Sequence, residues 1–492
     1  MKKINIFGWI LVLLMGTISC TKQLDINIDP RYLGDASVEM LLPSTIAWSA
    51  SRLGSDLELV GSMWSQHYTQ NNNSNQYKTL DSYGLTKADY NAVWSSMWSG
   101  ALQDCKVGIQ KSQAANQWNY YMIFSLVRIF DCHIMNDFYG ALPYTESLKA
   151  LENNFSPKWD DSKAVNDGLL AEIDAVLAKS AEANAIPNTI LTKDYIFGGD
   201  ISQWIQFANT LKLKILMRDF TANQAKITAI LALPAGTFLA TDCRLGVFKD
   251  LINNSNPLFE QDRRALNTPN NITGSKTMID FLNLNADPRV AAFYEKNNAK
   301  VPIFNGLAQG NYAITGYKID SVSKAKLAAT DPVYFMSAAE TQFLQAEAWA
   351  RLGDGAKAKE NYEAGVTLAF SRWAMDAAPF IAVGGKYEFN LTRLNTTEKM
   401  IGMIITQKWV AACRCQAWDS FFDQNRTGYP LLSAVPSMDA NYVKGQLTVS
   451  VNTTLITGEI PRRLPYPKNS SDFNANTPLI VPIFTKMWWH KQ

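Results

Sequence analysis

The chain has 492 residues, 18 % charged and 47 % hydrophobic, a globular composition with apolar mass for a large core. Lys plus Arg is 46 and Asp plus Glu is 44; without Lys2 and Lys3, which sit in a leader, the balance is 44 against 44. That neutrality speaks against a nucleic-acid binder and a polybasic membrane-surface protein, and three histidines (His67, His133, His490) leave little room for histidine-based metal chemistry.

Met1–Cys20 reads MKKINIFGWILVLLMGTISC. Lys2 and Lys3 form a positive start, and Ile6–Met15 is an uncharged apolar run. It is shorter than the ~20 residues that span a bilayer but suits a secretory signal. Ser19 before Cys20 resembles a bacterial lipobox, with Thr17 where Leu is more usual. The expected organisation is a signal peptide over 1–19, a lipidated tether over 20–35 with lipid on Cys20, and one α-rich body over 36–492. Acyl chains worth ~0.8 kcal/mol per buried CH₂ would tether that body to a membrane. No later segment is long and apolar enough to span one. Beyond Cys20 stand Cys105, Cys132, Cys243, Cys413 and Cys415, an odd set read as small buried thiols, not a disulfide framework. Asp25-Ile26-Asn27-Ile28-Asp29 has the start of a calcium loop. Pro30 replaces the turn glycine and Ala36 the closing Glu, so no metal site is assigned.

Apolar spacing predicts helices over Ala36–Ala50, Leu57–Tyr68, Lys87–Ser112, Gln117–Phe138, Ser162–Ala181 and Asp200–Phe220. Further helices are expected over Ser337–Leu352, Gly355–Trp373 and Thr397–Phe422, the last with an internal break. Strand signals are few and short: Tyr312–Tyr317 and Gln446–Val451. Two polar segments without apolar periodicity, Gln70–Tyr83 and Ile252–Asn271, read as long loops, and Tyr429–Lys468 is Pro-rich and irregular. The expected fold class is mainly α: tetratricopeptide-like helix pairs forming a scaffold, with long irregular loops and few short strands. Ser337–Trp373 carries that pattern best. Ala346 and Ala350 allow close helix approach, Leu352-Gly353 marks the turn, and Tyr362 and Ala364 face back. Such a scaffold has no chemistry of its own, which moves function to loops.

No H-E-x-x-H, G-x-S-x-G, Walker or dinucleotide motif occurs. Trp159-Asp160-Asp161 puts two acids beside an aromatic, but Asp before Ser162 is the natural start of a helix. Arg462-Arg463 reads as a structural pair bound to acids across the fold. A sugar site needs flat aromatic faces and amides to bond hydroxyls. The first loop offers Asn72, Asn73, Gln76, Tyr77 and Tyr83, preceded by Tyr68; the second adds Arg264 and Asn270. No cofactor is called for. A glycoside hydrolase, and an assembly lipoprotein binding only proteins, are the alternatives to a capture protein.

Longer motifs point to a family. Leu24–Pro30 follows the lipobox; Asn136-Asp137-Phe138-Tyr139-Gly140-Ala141-Leu142-Pro143-Tyr144 comes next. Gly199-Asp200 with Trp204, Phe207, Ala208, Asn209, Leu211, Leu213 and Arg218 forms a third element, and Ser337 with Glu340, Phe343, Leu344, Ala346 and Glu347 a fourth. Trp418-Asp419, Asn425–Pro430 and Ile460–Leu464 with Tyr466-Pro467 close the chain. In this order they resemble the SusD/RagB family of nutrient-binding outer-membrane lipoproteins, in its SusD-like subgroup. The resemblance implies a non-enzyme facing the cell exterior over a SusC-like TonB-dependent transporter. It would capture a glycan, or a peptide in some branches, and close the barrel as a lid. The motifs also have a physical reading: Asn209 and Arg218 would satisfy polar groups between packed helices.

Overall fold

The computed structural model describes residues 36–187, 191–266, 271–315, 321–456 and 458–491. Residues 1–35, which take in the expected leader, Cys20 and the whole expected tether, and Asn270 lie outside the described residues. The longer elements follow in chain order: α1 Val38–Arg52, α2 Glu58–Trp64, β1 Tyr68–Gln70, α3 Gln103–Ala114, α4 Trp118–Tyr139, α5 Ser162–Leu177, α6 Ile201–Leu216 and α7 Phe220–Leu231. Then come β2 Cys243–Leu245, β3 Ile272–Gly274, α8 Lys276–Leu284, β4 Val333–Met336, α9 Ala338–Arg351, α10 Gly355–Ser371, α11 Thr397–Ala412 and α12 Ala417–Thr427. The mainly α expectation holds.

Short polar side chains start the helices. Asp161 accepts from Lys163 N and Ala164 N at 3.0 Å, so it caps α5 as expected, while Asp160 accepts from Thr145 N at 2.8 Å. Ser337 accepts from Glu340 N at 3.1 Å to begin α9, and Asp354 from Lys357 N at 3.0 Å to begin α10. Two of the expected runs are interrupted, the second as expected. Lys87–Ser112 becomes a short helix over Asn91–Ser96, a π-helical turn over Met97–Leu102, and α3. Thr397–Phe422 breaks after Ala412, where Arg414 takes φ 58°.

The helices stack as neighbours. α3 packs on α4, α4 on α5, α5 on α6, α6 on α7 and α9, and α9 on α10 and α11. In the α9–α10 pair Ala346, Ala350, Ala358 and Tyr362 are buried, and a Cβ on Gly365 would lie 2.9 Å from the Phe343 ring. Small residues there permit the close approach that the repeat pattern implied. The main core centres on α4, where Phe130 meets Phe207, Phe335 and Trp418 at ring-centroid distances of 5.9, 5.5 and 6.0 Å. A second cluster lies between α9, α10 and α11.

The strands are not where alternation placed them. β1 pairs antiparallel with β3 and β2 with β4. Residues 312–315 are turn and coil, residues 316 and 317 lie outside the described residues, and Leu447 makes only an isolated bridge to Leu432. The Gln446–Val451 segment spends its backbone on loops instead: Val451 N donates to Gln309 O at 2.9 Å and Thr448 O accepts from the Gln66 amide.

α2 crosses the start of α12. Glu58 Oε2 accepts from Ala417 N at 2.9 Å, and Trp64 meets Phe421 at 5.1 Å. A Cβ on Gly61 would lie 2.1 Å from Trp418 N, so backbone touches backbone there. Gly61→Ala is expected to destabilise the fold by about 1–3 kcal/mol, read as a lower denaturant midpoint; an unchanged midpoint would show that the crossing opens freely.

A buried ion network ties the scaffold together. Lys214 of α6 reaches Glu340 of α9 and Asp419 of α12, both at 2.6 Å. Lys408 of α11 reaches Asp419 at 2.7 Å and Asp423 at 2.8 Å. Arg426 of α12 grips Glu347 of α9 in two bonds of 2.5 and 2.6 Å and Asp423 at 2.7 Å. Next to it Arg218 donates to Asp137 at 2.6 and 3.0 Å, the inter-helix role expected of it, whereas Asn209 donates to Ile205 O at 3.1 Å within its own helix. Arg462 and Arg463 do not pair with acids as expected. Arg462 donates to Gln424 and Asn425 at 3.1 and 2.8 Å, and Arg463 donates to the Tyr139 carbonyl with its guanidinium over the Tyr466 ring. Amides and a helix-end carbonyl take these donors instead.

Among the described residues the cysteines are buried free thiols, no set of His, Cys, Asp and Glu is grouped to hold a metal, and no helix is long and apolar enough to cross a membrane.

Candidate functional site

The two polar loops meet. β1–β3 pairing brings Gln70 opposite Ile272, and Asn71 N donates to Asn271 O at 2.8 Å. The first loop is wound around its own polar residues. Gln70 Nε2 donates to Ser74 Oγ at 2.7 Å while its Oε1 accepts from Tyr77 N at 2.7 Å. Asn71 Oδ1 accepts from Asn73 N at 2.9 Å, an Asx turn. Beneath, Asp81 accepts from Thr69 Oγ1 at 2.7 Å, Gln70 N at 2.9 Å and the Gln309 amide. Burial pushes the Asp81 carboxyl up to about 6, against these donors, which favour its charged form.

Two further loops join. Gly310 N donates to Thr69 Oγ1 at 3.1 Å, Asn452 Nδ2 to Gly310 O at 2.7 Å, and Thr454 N to Ser82 O at 2.8 Å. The outer layer carries half-buried Asn72, exposed Asn73 and Gln76, and Lys78 with its ammonium 5.2 Å over the half-exposed Tyr312 ring.

The expected aromatic residues are not in that layer. Tyr68 is 1 % exposed and edge-on to Tyr294, and the small cavity it lines is about 30 Å³, room for little more than a water. Tyr83 is 2 % exposed, and Tyr77, at 7 %, is packed beside Asp262. Burial, with Asp262 second, drives the Tyr77 hydroxyl well above its ordinary range. These rings fill the base of the loops and offer no open face for stacking; β1 and the short helix Lys78–Asp81 turn them inward. Arg264 is also placed away from the first loop. It donates to Ser255 Oγ at 3.1 Å, pairs with Asp250 and lies 5.4 Å over the Phe259 ring. Its neighbours do the bridging: Asp262 accepts from Arg263 and, at 3.1 Å, from Asn271 Nδ2. Lys78, Tyr312 and Asn452 were not foreseen. Tyr312 stood in an expected strand, and nothing local marks it as the partner of a lysine far upstream.

A stacked-helix scaffold that holds converging polar loops, amides outward and acids spent inside, is the build of a binding protein. The comparisons give the family. The chain belongs to the SusD-like_2 family, described as starch-binding and associating with the outer membrane, whose model matches residues 36–467. The family is one of surface nutrient-binding proteins. Among solved structures, a SusD homolog from Bacteroides uniformis is 23 % identical with TM-score 0.71, covering 92 % of this chain and 99 % of that one. A second, from Bacteroides vulgatus, is 22 % identical with TM-score 0.70, covering 89 % and 92 %. A chitin-binding protein is 18 % identical with TM-score 0.66, covering 93 % and 100 %. These likenesses establish the fold. No curated protein matches the chain.

Proposed function

We propose that this protein is a lipid-anchored capture protein of the outer cell surface, which binds an oligosaccharide and delivers it to a SusC-like TonB-dependent transporter. The observation that carries this reading is the convergence of four loops into one amide-rich face on a rigid helical scaffold, in a chain of a starch-binding family. The leader ending at Cys20 supports the anchor, and the expected organisation, with one binding body from residue 36 onward, fits it. The chitin-binding relative favours a neutral or N-acetylated glycan over a peptide.

In this reading Asn72, Asn73 and Gln76 bond sugar hydroxyls and Tyr312 supplies the stacking face, with Lys78 behind it. Tyr68, Tyr77 and Tyr83 support the loops from beneath. The reading is non-catalytic. Glycosidases place two carboxyl groups across a cleft about 5–9.5 Å apart, whereas the acids here, Asp81 and Asp262, are consumed as internal acceptors.

Titration calorimetry with malto- and chito-oligosaccharides tests the site. The double change Asn73→Ala/Gln76→Ala, and separately Tyr312→Ala, are expected to weaken binding about tenfold each, the worth of one or two hydrogen bonds or a stacked ring, with thermal midpoints unchanged. Unaltered affinity in both variants would remove the site from this face.

A further inference from the structure

Away from the loop face, a cavity of about 670 Å³ opens between the turn before α6, the β2 strand and the helices α9 and α10. That volume lies within the range of small-molecule sites. Its charged lining consists of Asp242, Arg244 and Arg372. Asp242 is already satisfied: its Oδ1 accepts from Ala338 N, the first residue of α9, at 2.9 Å and from Arg372 Nη2 at 3.3 Å. Arg372 is rigid, its side chain 8 % exposed, with Nη1 on Ala411 O at 3.1 Å and its guanidinium 4.9 Å over the Tyr334 ring. Its Nε is buried and has no acceptor among the described residues. Arg244 is exposed and, among the described residues, its side chain makes no hydrogen bond or ion pair. The cavity therefore holds one guanidinium charge more than its carboxylate can neutralise.

The rest of the wall suits a sugar ring. Tyr195 is 46 % exposed on a turn locked from within, where Asp194 accepts from Ile196 N at 3.0 Å, Gly199 N at 3.0 Å and Trp204 Nε1 at 2.8 Å. A large aromatic face held in solvent by a fixed turn is preorganised for stacking. Thr241, hydrogen-bonded to Gln203 at 2.7 Å, and Ser371 add hydroxyls to the lining.

We propose that this cavity is a second saccharide site, selective for an acidic sugar. The anionic oxygens, of a uronate carboxylate or a sulfate ester, sit between Arg244 and Arg372, and the ring lies against Tyr195. Guanidinium donors match such oxyanions in paired hydrogen bonds. The proposal takes from the preceding reading only the ligand class; it shares no residue with the loop face.

The test is calorimetric titration of the lipid-free chain with oligogalacturonate, a sulfated galactan oligosaccharide, a neutral malto-oligosaccharide of equal length and an oligoglutamate peptide. At least one acidic sugar is expected to bind about tenfold or more tighter than the neutral one, with the preference fading in salt; the two acidic arms separate carboxylate from sulfate. Arg244→Ala removes that preference, Arg244→Lys restores part of it, Tyr195→Ala weakens it, and Asn73→Ala/Gln76→Ala leaves it intact. Arg244 is exposed, so these variants fold. Equal affinity for acidic and neutral sugars, acid binding unchanged by Arg244→Ala, or acid binding lost in the loop variant would overturn the proposal. Oligoglutamate binding as tightly as the acidic sugars would overturn the saccharide assignment. If the loop variant loses neutral-glycan binding while Arg244→Ala keeps it, the two sites stand or fall separately.

Discussion

Arg426→Ala is expected to lower the unfolding free energy by about 3–5 kcal/mol, because it strands buried carboxylates without removing them. In the fold Arg426 joins α12 to α9 through Glu347 and also holds Asp423, all with side chains at most 3 % exposed. Burial alone would raise the Glu347 carboxyl; Arg426 and Arg351 overcome it and hold the group well below the usual carboxylate range. A carboxyl depressed in the folded state gives stability above its unfolded pKa and loses it as pH falls. The cost of Arg426→Ala is therefore largest near neutrality and shrinks in acid. Denaturant unfolding at neutral and acid pH reads both features. Replacing Arg426 and Glu347 together by Met should recover much of the loss, since an apolar pair leaves no uncompensated charge. A loss under about 1 kcal/mol for Arg426→Ala would show that the network is not what joins these helices.

Glu58→Gln is expected to act in the opposite sense. Burial raises the Glu58 carboxyl from 4.5 to about 8, although Ala417 N and Ser62 both favour its ionised form. A carboxyl raised in the folded state contributes fully below its unfolded pKa, and that contribution is lost as pH rises from 4.5 towards about 8. One such proton is worth up to about 1.4 kcal/mol per pH unit across that window, several kcal/mol in total. Glutamine keeps an oxygen for Ala417 N and has no charge to bury. The variant should match the parent in acid and exceed it above neutrality. Thermal midpoints across the window decide it; parallel profiles would mean that Glu58 is ionised in the fold at neutral pH.

The helices were legible because long runs of apolar residues mark them, at helical spacing where one face stays in solvent. α4 is apolar on nearly every side, and α9 and α10 alternate small and large residues at helical spacing. α7 was missed although Asp219 caps it at Ala222 N, because only Ile227 and Ile230 are buried along its length. The strands are three or four residues long, too short for alternation to register. The ion network was invisible for another reason. Lys214 and Glu340 lie 126 positions apart, and Arg426 and Glu347 lie 79 apart, so nothing local tells a core lysine or glutamate from a surface one. The loop site was half legible. An Asn-rich segment does reach solvent through Asn73 and Gln76, but composition could not show that Gln70 and Asp81 reel its tyrosines inward.

The most direct test of capture without chemistry is calorimetric titration of residues 21–492 with malto- and chito-oligosaccharides, each mixture analysed afterwards by chromatography. The account predicts saturable binding with the oligosaccharide recovered intact. Shortened products would make the protein a hydrolase, and the absence of binding to every glycan would contradict capture by this chain alone.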